Sequence, residues 1–246
     1  MKSTINTDLF YLKYPNHPIT INVIGCGGTG SLVLNNLTKI DFTLKQMNHP
    51  GLFVRAYDDD IVELFNVSKQ DFSDTEMGMN KAVACIERCN INMGLLWESI
   101  PRKYSETCYT PANIDIICVD NAYFRKEYYE IEERRKSHRK KEYYDHRSRI
   151  YTIDCGNGKD FGQVVLTDFD TLPTFPERFP NFMQQDNFEH QGFNGCSMND
   201  SLELQDLFIN KFIALACAKL IWSLFRTTEL KAGTMINLTK DKMLPL

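Results

Sequence analysis

A strand, a glycine-rich turn and a helix follow one another between residues 19 and 40. Apolar residues alternate over residues 19–23, as they do on a pleated strand. The turn Gly-Cys-Gly-Gly-Thr-Gly occupies residues 25–30. Beyond it, apolar residues recur at the spacing of one helical face, at Val33, Leu37 and Ile40. This order predicts an α/β sheet that carries the turn to the edge where such sheets bind ligands.

Each glycine of the turn has a predicted role of its own. Gly25 permits the tight turn off the strand, whereas Gly27 and Gly28 lack the Cβ atoms that would keep a phosphate away from the backbone. Gly30 lets the helix pack on the strand, and the helix N-terminus offers free N–H groups to an anion. The pattern G-x-G-x-x-G is weak by itself, but a predicted strand before it and a predicted helix after it provide the required context. A turn made for packing alone is the alternative.

Two later strands are predicted to end in carboxylates at the same edge. Asp58, Asp59 and Asp60 follow the second strand, where a carboxylate can accept hydrogen bonds from ribose hydroxyls or form an acidic turn. The separation of Asp58 from Gly30 exceeds the roughly 20 residues of a dinucleotide fingerprint, which counts against NAD. The apolar strand at 114–119 ends at Asp120, which either faces the ligand crevice or caps a helix.

Together these segments resemble the E1-like/ThiF/MoeB family of adenylating enzymes. The resemblance is carried by Asp58–Asp60, Asn66, Lys69-Gln70, Gly78 with Lys81, Asp120-Asn121 and Arg125. It implies a Rossmann-like ThiF/E1-type α/β fold with a mostly parallel central sheet, antiparallel C-terminal strands and helices on both faces. A single domain over 1–246 is expected, with a nucleotide-binding core at 18–167, a crossover loop at 168–199 and a C-terminal helix and hairpin at 200–246. Residues 1–18 are expected to form a polar-aromatic arm that leads to the first strand, and helices are predicted over 78–90 and 202–226.

The resemblance also implies an activity and a set of site residues. E1-like enzymes use ATP and Mg²⁺ to adenylate the C-terminal carboxylate of a small ubiquitin-like or sulfur-carrier-like protein. By this resemblance the glycine turn approaches the phosphates, Asp58 holds the ribose and Asp120 binds Mg²⁺. Charge on the β and γ phosphates would be neutralised by Asn66, Lys69 and Lys81. The other catalytic and nucleotide-binding residues that it implies are Arg125, Asp60, Gln70 and Asn121.

Residues 168–199 lack periodicity and hold six of the sixteen phenylalanines. A loop of this length in a compact domain is usually functional or disordered, and its aromatic residues argue against simple disorder. In the resembling family the partner's C-terminal tail threads beneath this loop. Cys196 lies near its end, where members that pass the acyl group to sulfur carry a cysteine. A thioester on Cys196 is therefore a hypothesis, and an ordinary cysteine is the alternative.

Within the family, the chain resembles the ThiF-family group of the bacterial PRTRC gene system. The matching segments are Asp154-x-Gly156-Asn157, Gly162-Gln163-Val164, Cys196-Ser197, Gln205-Asp206-Leu207-Phe208-Ile209-Asn210 and Asn237-Leu238-Thr239-Lys240. This resemblance implies a ubiquitin-like substrate, an E2-like partner and a homodimer.

Two departures from the family pattern leave other functions open. Lys69 stands where the family usually has Arg, which keeps the charge but loses the bidentate fork. Residues 1–54 contain no Arg, so the arginine that many members insert into the neighbouring subunit has no counterpart. The alternatives are a nucleotide-binding scaffold without catalysis, an adenylating enzyme acting on a tRNA-borne group or peptide C-terminus, and a Rossmann dehydrogenase.

Composition limits the partners and the location. The net charge of −4 over 246 residues gives no sign of general nucleic-acid affinity. The eight cysteines include no C-x-x-C, so no structural zinc is expected, and with no secretory segment they favour the cytoplasm. The most apolar run, 212–225, is too short for a membrane span. Residues 122–149 carry ten basic and six acidic residues, which indicates a solvated helix in preference to a docking surface.

Overall fold

The computed structural model describes residues 7–138, 151–180, 206–227 and 229–246. In chain order its helices and strands are α1 (Thr7–Lys13), β1 (Ile19–Ile24), α2 (Gly28–Gln46), β2 (Leu52–Tyr57), α3 (Leu64–Lys69), α4 (Lys81–Met93), β3 (Glu98–Ile100), β4 (Ile114–Ile117), α5 (Ala122–His138), β5 (Tyr151–Asn157), β6 (Phe161–Thr167), α6 (Phe175–Arg178), α7 (Ile209–Arg226), β7 (Gly233–Asn237) and β8 (Lys242–Pro245). A short 3₁₀ turn covers Asp74–Glu76.

The described strands form one eight-stranded sheet in the order β3-β2-β1-β4-β5-β6-β7-β8. The five strands from β3 to β5 are parallel, and β6, β7 and β8 continue the sheet in antiparallel pairs. This confirms the predicted fold class, including its antiparallel C-terminal strands. Because β1 lies between β2 and β4, the segments that follow these three strands meet at the carboxyl edge of the sheet.

Alternation along the central strands separates two apolar layers. On one face, Ile19, Ile21 and Val23 join the larger core, which also includes residues of α1, α2, α4 and α7. On the other face, Ile24 and Ile117 pack in a smaller aromatic cluster with residues of α5 and α6. Helices therefore cover both faces of the sheet, as is usual for parallel strands.

Several element boundaries differ from the predicted ones for identifiable reasons. The predicted polar-aromatic arm at the N-terminus contains α1, because Leu9 and Leu12 are buried in the larger core. The helix predicted from residue 78 begins at Lys81, since the side chain of Asn80 accepts a hydrogen bond from the Val83 N–H and caps it. The last helix, predicted from residue 202, is described from Ile209, and 202–205 lie outside the described residues.

The remaining predicted segments are described only in part. The charged stretch 122–149 is described as α5 to residue 138, and the predicted crossover loop 168–199 is described to residue 180, where it contains α6. Within the described ranges, no helix is both long enough and apolar enough to pass through a bilayer.

Candidate functional site

The glycine turn lies at the carboxyl edge of the sheet, between the ends of β2 and β4. Gly25 has a φ of +90°, which favours glycine, and its N–H donates a 2.9 Å hydrogen bond to the Tyr57 carbonyl at the end of β2. A Cβ atom on Gly25 would lie 3.0 Å from the Cys118 carbonyl carbon, just after β4. A Cβ atom on Gly30 would overlap the carbonyl oxygen of Gly25. The close approach of backbone segments therefore requires glycine at these two positions.

Asp58 ties the end of β2 to this turn. Its Oδ2 accepts a 2.6 Å hydrogen bond from the Cys26 N–H, and its Oδ1 accepts one of 2.9 Å from the Asp60 N–H. Burial raises the pKa of Asp58, while the two N–H donors and the nearby Lys81 ammonium act in the opposite direction. Asp58, which is predicted to bind the ribose, is thus half-buried and is held in place by backbone N–H groups of the glycine turn and of its own loop.

Lys81 and Asp60 form an ion pair beside Asp58. Lys81 Nζ lies 2.9 Å from Asp60 Oδ2, with 9% of the lysine side chain exposed against 67% of the aspartate side chain. Asn80 Nδ2 donates to the Asp58 and Asp60 carbonyls, at 2.9 and 3.0 Å. Two predicted site residues are therefore paired with each other, so Asp60 orients the lysine in this structure.

The short helix α3 carries three more of the predicted residues. Asn66 is fully buried, and its Oδ1 accepts a 2.8 Å hydrogen bond from the Glu63 N–H, whereas its Nδ2 has no hydrogen-bond partner among the described residues. The Gln70 side chain lies over the glycine turn, since a Cβ atom on Gly27 would be 3.8 Å from Gln70 Nε2. Partial burial lowers the pKa of Lys69, which makes no ion pair with any described residue.

At the end of β4, the two predicted residues have different environments. Asn121 Oδ1 accepts hydrogen bonds from the N–H groups of Tyr123 (2.8 Å) and Phe124 (3.2 Å), so Asn121 caps α5. Asp120 is exposed and has no hydrogen bond or ion pair with the described part of the chain. The N-cap role considered for Asp120 thus belongs to Asn121, and the carboxylate of Asp120 remains available to a ligand.

Arg125 is turned toward the sheet. It is 2% exposed, its Nε donates to Asp154 Oδ1 at 2.9 Å, and its Nη2 donates to the Cys155 carbonyl at 2.9 Å. Tyr129 OH donates to the other oxygen of Asp154 at 3.2 Å. Burial raises the pKa of Asp154, and Arg125 opposes that shift. A catalytic role was predicted for Arg125. In the structure its guanidinium pairs with Asp154 and so joins α5 to β5.

A polar contact that the sequence analysis missed joins three elements at this edge. Asn210 Oδ1, in the first turn of α7, accepts 3.0 Å hydrogen bonds from Thr29 Oγ1 and Asn157 Nδ2. Thr29 and Asn210 are 181 positions apart, so no local pattern could have connected them. Asn157 and Asn210 belong to segments that the sequence analysis quoted for a family resemblance, without a role for either.

Thiols near the turn are poor candidates for an acyl acceptor. A hydrogen bond with Cys85, together with burial, raises the pKa of Cys26, and a hydrogen bond with Cys155, again with burial, raises the pKa of Cys118. All seven described cysteines are free. Cys196, the predicted acceptor, lies outside the described residues.

Potential metal ligands cluster at the end of β2. One carboxylate oxygen from each of Asp58, Asp59 and Asp60 lies within 4.8 Å of the others. In the described ranges no other group of three or more His, Cys, Asp or Glu side chains is arranged in this way. Asp120, the predicted Mg²⁺ ligand, is not part of this group.

Comparisons with known proteins support the fold. No protein-family model and no curated protein sequence matches the chain. Among solved structures, E. coli MccB with succinimide matches with a TM-score of 0.65 at 16% identity, and MccB with ATP with 0.64 at 15%. Both matches cover 97% of this chain and 65% of MccB, so the chain spans less than two thirds of MccB's length. PaaA matches with a TM-score of 0.63 at 13% identity, over 98% of this chain and 75% of PaaA. The chain therefore has the ThiF/E1-type fold of MccB that was predicted from its sequence.

Proposed function

We propose that the chain is an ATP-dependent adenylating enzyme of the E1-like class. A substrate carboxylate oxygen attacks the α-phosphorus of ATP, and the bond from that phosphorus to the bridging oxygen breaks, which gives an acyl adenylate and pyrophosphate. One observation carries the proposal. Asp58 accepts a 2.6 Å hydrogen bond from the Cys26 N–H of the glycine turn, and the adjacent Asp60 lies 2.9 Å from Lys81, so the residues proposed to bind the ribose and the phosphates adjoin at one edge.

The side chains around the turn offer what a triphosphate needs. The backbone at Gly27 and Gly28 would approach the phosphates, and Asp58 would accept hydrogen bonds from the ribose. In the described part of the chain, Lys69 has no anionic partner, and Asn66 Nδ2 is a buried donor without an acceptor. Unpaired donors of this kind are costly unless a ligand satisfies them. Catalysis would follow from positioning and preorganised charge.

Asp120 would hold Mg²⁺ in this proposal. Its carboxylate is exposed at the end of β4 and has no partner among the described residues, which fits a hard cation that prefers oxygen ligands. When bound, Mg²⁺ would neutralise part of the phosphate charge. Gln70, which lies over the glycine turn, and Asn121, which caps α5, would complete the surroundings of the nucleotide.

The proposed substrate is the C-terminal carboxylate of a small ubiquitin-like protein, as the resemblance to the PRTRC group suggests. A short peptide C-terminus is the alternative, which is supported by the fact that structures of MccB include complexes with MccA. The version with a ubiquitin-like substrate also includes a thioester on Cys196, an E2-like partner and a homodimer. The version with a peptide substrate does not.

A nucleotide-binding scaffold without catalysis is the second candidate. The buried pair of Arg125 with Asp154 favours it, since that guanidinium is occupied at 2.9 Å, and residues 1–54 supply no other arginine. Such a scaffold would bind ATP but would not exchange pyrophosphate with any acceptor.

Exchange of labelled pyrophosphate into ATP tests the proposal. The purified chain is supplied with a ubiquitin-like protein that ends in Gly-Gly, with a peptide acid, or with the amide-capped form of each. Exchange that requires a free carboxylate supports adenylation, and the better acceptor identifies the substrate class. Binding of ATP without exchange in all four cases would support the scaffold. Exchange that survives Asp120→Ala would overturn the role given to Asp120.

A further inference from the structure

Asn210 connects the glycine turn to the last helix. It is 9% exposed, and its single carbonyl oxygen accepts hydrogen bonds from Thr29 Oγ1 and Asn157 Nδ2, both at 3.0 Å. Thr29 lies in the first turn of α2, and Asn157 ends β5. One side-chain amide therefore joins the starts of α2 and α7 to the end of a central strand.

The amide nitrogen of Asn210 lies beside the turn itself. A Cβ atom on Gly28 would be 2.6 Å from Asn210 Nδ2 and 2.9 Å from its Cγ, so the amide occupies space that only a glycine leaves open. No described residue accepts a hydrogen bond from this nitrogen. Within the described ranges, Asn210 thus has a donor without a partner next to the backbone that is predicted to approach the phosphates.

The arrangement of the two helices places this donor at the ligand edge. Asn210, at the start of α7, lies near Gly28 at the start of α2. Arg226, at the end of α7, has its Nη1 3.7 Å from Sδ of Met47, which follows the end of α2. Because α2 and α7 run side by side in the same direction, the N-termini of both lie at the carboxyl edge of the sheet, where their positive ends favour an anion.

We propose that Asn210 is a positioning residue for the nucleotide phosphates. Through Thr29 it holds the first turn of α2 against α7, and its uncharged amide keeps the space beside Gly28 free of negative charge. This inference rests on the proposed function, because it assumes that a nucleotide binds at the glycine turn. It adds to that function a requirement for a neutral side chain at the start of α7.

The substitution Asn210→Asp separates positioning from stability. Aspartate keeps a carbonyl-type acceptor for Thr29 and Asn157 but places a negative charge beside Gly28. We expect the dissociation constant for ATP–Mg²⁺, measured by calorimetry without a carboxylate substrate, to rise about tenfold or more. The unfolding temperature should fall less than in Asn210→Ala, which loses both accepted hydrogen bonds.

Asn113→Asp is the matched control. Asn113 is also buried, and its Oδ1 also accepts two 3.0 Å hydrogen bonds, from the N–H and the hydroxyl of Thr20. It lies just before β4, at the opposite edge of the sheet from the glycine turn. The same change of charge there should leave the affinity for ATP within about twofold of the wild-type value.

The hydrogen bond that joins α2 to α7, from Thr29 to Asn210, is tested without nucleotide. If Thr29 acts through Asn210, the double variant Thr29→Val with Asn210→Ala should unfold at nearly the same temperature as Asn210→Ala alone. An Asn210→Asp variant that binds ATP as tightly as the wild type would overturn the inference and leave the proposed function standing. A wild-type chain that does not bind ATP would overturn both.

Discussion

Lys81 is the buried end of an ion pair whose other end is exposed, and this asymmetry gives a prediction. In Lys81→Met the exposed Asp60 returns to water, so stability should change by less than about 1 kcal/mol. The affinity for ATP should fall about tenfold to a hundredfold, because a charge-assisted contact to a phosphate is lost. Calorimetric titration with ATP–Mg²⁺ and urea unfolding measure the two effects separately.

Lys45→Met is the control for this prediction. Lys45 also pairs with an aspartate, since its Nζ lies 2.8 Å from Asp41 Oδ2, but it lies in the last turn of α2, far from the glycine turn. Its loss leaves the buried Asp41 without a counter-charge and should reduce stability while ATP binds normally. Equal losses of affinity in the two variants would contradict the role given to Lys81.

The pair of Arg125 with Asp154 predicts a stability that depends on pH. Arg125→Met leaves Asp154 charged in a fully buried site, which should cost about 3–5 kcal/mol at neutral pH. Burial already raises the pKa of Asp154, and loss of the guanidinium raises it further. The folded state then binds the proton more tightly than the unfolded chain, so stability is lost as pH rises through the folded pKa and is regained toward the ordinary aspartate range near pH 4. Urea unfolding at pH 7.5 and pH 5 should show the smaller deficit at pH 5.

The double variant Arg125→Met with Asp154→Leu checks the cause of that deficit. It removes both charges and leaves no buried ion, so it should be more stable at pH 7.5 than Arg125→Met alone. Its stability relative to the wild type should also vary little with pH over this range. A double variant that is less stable than Arg125→Met would show that hydrogen bonding, for example from Tyr129, outweighs the charge.

At the scale of the element, the glycine turn predicts two opposite outcomes for the same substitution. In Gly30→Ala the new Cβ atom meets the backbone of Gly25, which cannot move away, so stability should fall by about 3 kcal/mol or more.

In Gly27→Ala the nearest atom is at 3.8 Å and φ is −74°, so stability should change by less than about 1 kcal/mol. Gly27→Ala should nevertheless bind ATP poorly, since the methyl group adjoins the predicted phosphate site. Thermal unfolding followed by titration of the folded variant measures both outcomes, and normal ATP binding by Gly27→Ala would contradict the close approach.

Periodicity in the sequence predicted the elements with regularly spaced apolar residues. It failed where a single cap or a distant contact determines whether a helix forms or where it begins. The alternation of β1 and the Val33, Leu37, Ile40 face of α2 were visible because their apolar residues recur at the period of a strand and of a helix. The start of α4 depends on the Asn80 cap and the formation of α1 on a contact with α7, and neither leaves a periodic signal.

The candidate site follows the same rule. Its backbone parts could be predicted, because strand order alone brings the glycine turn, Asp58 and Asp120 to one edge. Its side-chain partners could not, since Asn210 reaches Thr29 across 181 positions and Arg125 turns to Asp154 for reasons of burial and charge. A motif therefore indicates where a residue lies better than it indicates what the residue touches.

At the scale of the whole molecule, ligand binding should stabilise the entire sheet, because the site is built from segments that follow three adjacent strands, β2, β1 and β4. ATP–Mg²⁺ at 100 times its dissociation constant should add roughly 2.7 kcal/mol to the free energy of unfolding. For a chain of 246 residues this is a rise of several degrees in the unfolding temperature, at about 2–4 °C per kcal/mol. The rise should shrink when Mg²⁺ is chelated and in Asp120→Ala, whose exposed carboxylate contributes little to stability itself. Stabilisation by NAD in place of ATP would assign the glycine turn to a dinucleotide, and no shift with either ligand would mean that the chain binds no nucleotide at this edge without a partner.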